Sequence, residues 1–266
     1  MKKSTVVLFW IIAVLMTLGA SVYQRMSGPT NPKRTTISIN NQEYKLKLPR
    51  SGGTKDCEVS LNIDKNSKAK LFYKKYPSSD EFAELDFVPK DGKMIAYLPL
   101  QPPAGKLSYY IQVDDKAICK EEPLIIRFKG DVPSWVLIPH IILMFVAMLF
   151  ANYGLILTIA NKPHFKRYLY LTISTLIAGG FIFGPLVQKF AFGVYWSGFP
   201  FGYDLTDNKT LIALVALLLV IPIINKKAVR WAAMIAFVVM ISIFSIPHSL
   251  RGSELNHETG KLESGR

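Results

Sequence analysis

Apolar positions along the 266 residues follow two patterns, and each predicts a different architecture. Five runs carry no Lys, Arg, Asp or Glu: Ser4–Gln24, Val132–Asn161, Tyr168–Gln188, Thr210–Asn225 and Trp231–Leu250, with His140 and His248 the only imidazoles inside them. A bilayer core of about 30 Å takes about 20 residues of apolar helix to cross. Four of the runs reach that length. The run from Thr210 reaches it only if its helix starts near Thr206, or if Lys209 and Lys226 extend along their stems to the polar edges. The pattern predicts five spans, at 1–24, 132–161, 168–188, 206–225 and 231–248. Between the first and second runs the period changes to two, as in Thr36–Ile39, Glu58–Ile63, Lys70–Tyr73 and Leu107–Val113. Turn clusters at Gly52-Gly53, Pro77–Asp80, Lys90-Asp91-Gly92 and Gln101–Gly105 separate the alternating stretches. Over 36–131 this predicts an antiparallel immunoglobulin-like or fibronectin-like sandwich of about seven strands. The expected fold class is therefore a membrane α-helical bundle of five spans (four of them in a membrane domain at 132–250) with an inserted all-β sandwich. A linker at 25–35, with Gly28, Pro29 and Pro32, precedes the sandwich, and a polar tail at 251–266 closes the chain.

Charge sets the expected orientation. Met1–Lys3, the connection Asn161–Arg167 and the connection Asn225–Arg230 hold eight basic residues and no acid, whereas Lys189 and Lys209 in the central connection are balanced by Asp204 and Asp207. Basic connections stay in the cytoplasm. The sandwich, the central loop 189–209 and the tail are thus expected outside. The net charge of +13 beside 50% apolar residues reflects this segregation. The one basic pair in the sandwich domain's strands, Lys74-Lys75, is too small a cluster to suggest a nucleic-acid partner. Residues 1–24 are read as an uncleaved anchor; the alternative, a cleaved signal, leaves four spans and the same exported domain.

Both cysteines, Cys57 and Cys119, fall in the exported stretch, which predicts a disulfide between an early and a late strand, with two buried thiols as the plainer alternative. The remaining chemistry gathers on the expected outer face. Each of His140 and His248 follows an Ile-Pro pair at a span end, and the loop and tail add Tyr195, Trp196, Asp204, Asp207, Arg251 and Glu254. Ionisable groups near bilayer depth usually have a function. Two imidazoles can hold a haem b iron axially, or copper or zinc together with Asp204, Asp207 and Glu254. In the plainer reading the histidines meet headgroups, the rings form an interfacial aromatic belt, and Thr206 or Asp207 caps the fourth span. No nucleophile elbow, phosphate loop or zinc-protease helix is present, which points away from an enzyme.

Gln101–Leu107, Ile126–Gly130, the loop Gly198–Lys209 and Pro247-His248-Ser249 with Gly252-Ser253-Glu254 resemble a group of uncharacterised bacterial integral membrane proteins, from about Ala69 onward. The resemblance implies the architecture and a place in a bacterial inner membrane, and no activity. Three functions are expected in descending order. The first is a respiratory or redox accessory protein with haem or metal at the outer face. The second is a scaffold or assembly factor that binds another membrane or exported protein through the sandwich. The third is a transporter, disfavoured by spans almost free of ionisable groups.

Overall fold

The computed structural model describes residues 2–39, 41–247, 252–257, 259–260 and 262–263. The chain divides into two compact units, Met1–Gly28 with Val132–Gly252, and Pro29–Asp131 with Ser253–Gly265.

The first unit is helical. Helices α1 (Lys3–Ser27), α2 (Ser134–Ile159), α3 (Phe165–Phe192) and α4 (Leu205–Ile223) are each long and apolar enough to cross a membrane; the shorter α5 spans Val229–Ser245. The helices overrun the uncharged runs, since α3 takes in Lys166 and Arg167 at its start and continues past Lys189. Charge marks where a chain can leave lipid, and the backbone ladder need not end there. Contacts within the unit order the helices. Gln24 of α1 donates to the Phe244 carbonyl of α5 at 2.7 Å, and Lys209 of α4 donates to that of Ile246, also at 2.7 Å. At the opposite ends, Arg230 of α5 donates to the Thr158 and Ile159 carbonyls that close α2. Trp10 of α1 stacks on Tyr153 of α2 at 4.0 Å and meets Tyr168 of α3 edge-on. Successive helices therefore run in alternating directions.

Glycines set how closely these helices approach. A Cβ on Gly180 would stand 2.6 Å from the Thr210 methyl, and one on Gly179 would stand 2.9 Å from Cβ of Leu143. The glycine pair of α3 thus serves packing against α2 and α4 inside this chain.

The second unit is β-rich. Its strands are β1 (Lys33–Ile39), β2 (Gln42–Leu48), β3 (Ser51–Gly52), β4 (Cys57–Leu61), β5 (Ala69–Tyr76), β6 (Ala83–Asp86), β7 (Val88–Lys90), β8 (Lys93–Leu98), β9 (Lys106–Val113), β10 (Lys116–Ile118) and β11 (Leu124–Phe128), joined by β12 (Glu254–Leu255) and β13 (Leu262–Glu263). A six-stranded sheet is ordered β3-β11-β9-β5-β6 with β10 also on β9; a three-stranded sheet runs β4-β8-β7, and β1-β2 and β12-β13 are separate pairs. β5 and β9 pair antiparallel over eight residues, from Ala69 opposite Val113 to Tyr76 opposite Lys106. On β9 the alternate residues Leu107, Tyr109, Ile111 and Val113 are buried, as a half-buried strand requires. They join Leu48, Val59, Leu61, Leu71, Leu98, Ile126 and Phe128 in one core shared by the three larger sheets. The expected seven strands become eleven before Asp131, because β3, β6, β7 and β10 span only two to four residues. Runs that short show no period.

The described part of the tail is built into this unit. Leu255 N donates to the Ala104 carbonyl at 3.2 Å, and the Arg127 guanidinium donates to that of Ser253 at 2.5 Å. Lys106 and Glu254 form an ion pair at 2.7 Å with both side chains largely withdrawn from water.

Candidate functional site

Pro133, itself without an N–H, stands just ahead of α2, whose first residue is Ser134, and Pro139 falls in the second turn. His140 follows it. Its Nδ1–H donates to the Gly179 carbonyl at 2.9 Å, which leaves Nε2 as the nitrogen with the lone pair. Gly179 lies in a π-helical stretch of α3, Ile177–Phe183, where its carbonyl also accepts the N–H of Gly184 five residues on. One carbonyl so fixes both the bulge and the imidazole.

The predicted carboxylates are committed elsewhere. Asp204 caps α4, accepting from Thr206 N at 2.8 Å and Asp207 N at 3.3 Å. The cap is thus Asp204, in place of Thr206 or Asp207, because the chain bends back two residues before Thr206, where Asp204 N returns to the Ser197 carbonyl. Asp207 holds the central loop: one carboxylate oxygen accepts from Ser197 N at 2.7 Å, Gly198 N at 3.0 Å and Ser197 Oγ at 3.3 Å. Asn208 Oδ1 accepts from Phe199 N at 2.7 Å, and Gln188 donates to Ser197 Oγ at 2.5 Å. Glu254 belongs to the β unit and pairs with Lys106, whereas His140, Asp204 and Asp207 belong to the helical unit.

Tyr195 is exposed beneath the Lys189 ammonium, 5.3 Å from its ring centroid. Trp196 stacks on Phe181 at 5.6 Å and donates from Nε1 to the Phe199 carbonyl at 3.1 Å. His248 and Arg251 lie outside the described residues. Among the described residues, no three His, Cys, Asp or Glu side chains stand together as a metal-binding group.

Cys57 and Cys119 are free thiols in this structure, so the expected disulfide is not formed in it. Both pack against the β core. Burial pushes each thiol up from its ordinary pKa, with Glu58 adding to the effect at Cys57; at Cys119 the nearby Lys33 charge opposes it and Glu122 adds a smaller push upward. Burial also raises the Tyr109 phenol, and the two thiols lie near enough to add to that shift. Its hydroxyl donates to the Pro49 carbonyl at 2.7 Å.

Of the two ways to lengthen the run from Thr210, the helix takes the first: it starts at Leu205, and Lys209 does not extend to a polar edge but is 2% exposed and turned toward the Ile246 carbonyl that follows α5. Gln24, Gln188 and Asn208 were not singled out at all, since an amide at the end of an apolar run carries no sign of its partner. No protein-family model, curated protein or solved structure matches the chain. The resemblance to uncharacterised membrane proteins consequently brings no activity to these residues.

Proposed function

We propose that this is a five-span protein of the bacterial inner membrane, with its β unit folded as an immunoglobulin-like or fibronectin-like sandwich on the outer face. It acts there as a non-catalytic scaffold or assembly factor that holds another membrane or exported protein through that sandwich. The observation that carries the topology is the return of the tail. Asp131 and Ser253, on either side of the helices α2 to α5, belong to one compact unit, so the chain between them crosses the bilayer an even number of times. Helices α2, α3 and α4 supply three crossings. The fourth falls to α5, whose 17 residues rise about 26 Å, enough for a thin or locally compressed core. The contacts at its two ends, to Thr158 on one side and to Gln24 and Lys209 on the other, support this. The eight basic residues of Met1–Lys3, 161–167 and 225–230 then share the cytoplasmic side. Reporter fusions at Arg266 and between Lys162 and Lys166 test it: the first should be active only outside and the second only in the cytoplasm. A C-terminal fusion active in the cytoplasm would overturn the topology.

The scaffold reading follows from the commitments of the acids. Asp204, Asp207 and Glu254 already cap a helix, staple a loop and pair with a lysine, so recruiting any of them as a ligand would cost part of the fold. The membrane-embedded protein should be recovered in a defined complex with another exported protein that disappears when the β unit is removed. Purification with a haem band or stoichiometric copper or zinc would contradict the scaffold reading.

One observation keeps haem or metal binding as a second reading. A ligating histidine commonly donates its other ring N–H to a carbonyl, which fixes the tautomer and aims the ligating nitrogen, and His140 is held in that way. An absorption spectrum that loses a haem band in both His140→Ala and His248→Ala would favour it. In the exported setting Cys57 and Cys119 should also pair, adding about 2–4 kcal/mol to the β unit. Two thiols titrating in unreduced, unfolded protein would exclude the bond.

A further inference from the structure

We propose that the tip of loop 193–204 is a preformed aromatic wedge seated in the headgroup layer of the bilayer that the helices cross. This rests on the five-span reading above. The loop leaves α3 after Phe192 and enters α4 at Leu205, so both of its stems are ends of membrane-length helices. Its base is closed by Asp204 N on the Ser197 carbonyl at 3.1 Å, and its tip turns on Phe201 N and Gly202 N donating to the Gly198 carbonyl at 2.9 and 3.0 Å. The three backbone N–H groups of Ser197, Gly198 and Phe199 are bound to side chains of Asp207 and Asn208 in the first turn of α4. A Cβ at Gly198 would stand 2.6 Å from Asp207 Cβ, so the loop lies directly on that turn.

This rigid base presents its rings outward. Phe199 is 64% exposed, Phe201 82% and Tyr203 79%. A fastened loop cannot carry those rings away from the helix ends to a partner standing off the membrane, and ordering them on binding costs little because they are already held. The zone next to the ends of membrane helices is where amphipathic rings are enriched. Lys189, exposed in the last turn of α3 and lying over the Tyr195 ring, adds a cation beside the loop to meet lipid phosphates. Lipid headgroups are therefore the occupant that fits the wedge. By contrast, exposed large apolar side chains among the described residues of the β unit are confined to Val88, Tyr97 and Leu100.

The test uses the full-length protein in phosphatidylethanolamine–phosphatidylglycerol vesicles, with Phe201→Trp read as a difference from the parent, which has four tryptophans. A fraction of the lipid carries bromine either near the headgroup end or near the methyl end of its chains. The added emission should be blue-shifted from that of tryptophan in buffer and should lose more intensity to the shallow bromine than to the deep. Water-like emission unaffected by either lipid would overturn the proposal, as would shifted emission that neither lipid quenches, the mark of a protein partner. Stronger quenching by the deep bromine would overturn the assigned depth. Phe199→Trp repeats the measurement should the first variant fail to fold. Carbonate extraction at high pH separates the two levels of inference. Protein released from the vesicles would refute the spans themselves, whereas retained protein with an unquenched tip would refute only the wedge.

Discussion

The two units bury similar side chains and expose different ones. Both bury some polar groups, Ser108, Arg127 and Glu254 in the β unit and Thr17, Asn152, Thr158, Thr172 and Lys209 in the helical one. They differ in what they expose: among the described residues of the β unit the exposed large apolar side chains are Val88, Tyr97 and Leu100, whereas in the helical unit Leu8, Ile11, Leu15, Ile142, Ile182 and Ile235 are among many. Water drives apolar groups inward and so makes burial and hydrophobicity the same signal. Lipid gives no such drive, and helices meet instead through close packing and hydrogen bonds. Apolar residues in the β unit therefore report an interior, whereas in helices long and apolar enough to cross a membrane an apolar side chain need not be an interior one.

The largest test sets two phenylalanines against each other. Phe128→Ala in the β core should cost about 3–5 kcal/mol, counting transfer and cavity together. Phe237→Ala, whose ring packs against Gly154 of α2, should cost less by about 1.5–3 kcal/mol, the transfer part that lipid does not supply. Unfolding of the full-length protein, followed separately by helical and strand signals, checks both, and equal costs would break the contrast. Next comes Glu254→Ala, which leaves the Lys106 ammonium 14% exposed and unpaired. A loss of about 3 kcal/mol is expected in the strand transition and none in the helical one. An unchanged strand transition would mean that the tail is not part of that unit.

Gly198→Ala is smaller. Overpacking against Asp207 Cβ should cost about 1–3 kcal/mol and expose Tyr195–Tyr203 to proteolysis without loosening the β unit. The smallest effect is expected at Thr17→Val. It removes the hydroxyl that accepts from Asn152 Nδ2 at 2.9 Å, a bond between helices worth about 0.6 kcal/mol on average in membranes. A loss as large as that at Phe128 would show that the helical unit is held by its polar contacts far more than its packing suggests.

Much of the fold was legible because local periodicity reports local surroundings. The uncharged runs lie within or around helices α1 to α5, and Thr36–Ile39, Lys70–Tyr73 and Leu107–Val113 fall inside β1, β5 and β9. The candidate site was legible in part. Asp204 and Asp207 were marked out by standing as acids beside an apolar run, but whether such an acid caps a helix, holds a loop or waits for a ligand depends on which N–H groups the folded loop turns toward it. His140 could be picked out by its Ile-Pro pair; that Nδ1 is bound to Gly179, 39 residues away, could not.

By itself the sequence marked the apolar helices and their approximate limits, four of them long and apolar enough to cross a membrane, and the strands long enough to alternate. Each of these depends on neighbours within a few residues, where a period of 2 or 3.6 is written into the order of side chains. Tertiary structure alone decided that Glu254 and Leu255 join a unit ending at Asp131, that Lys209 turns inward to Ile246, and that the strands of two to four residues exist. The Lys209 and Glu254 contacts join residues 37 and 148 apart, and a backbone donor or a lone charge leaves no mark in the sequence of the partner it will meet. The short strands β6, β7 and β10 pair with nearer neighbours but are too brief to show a period.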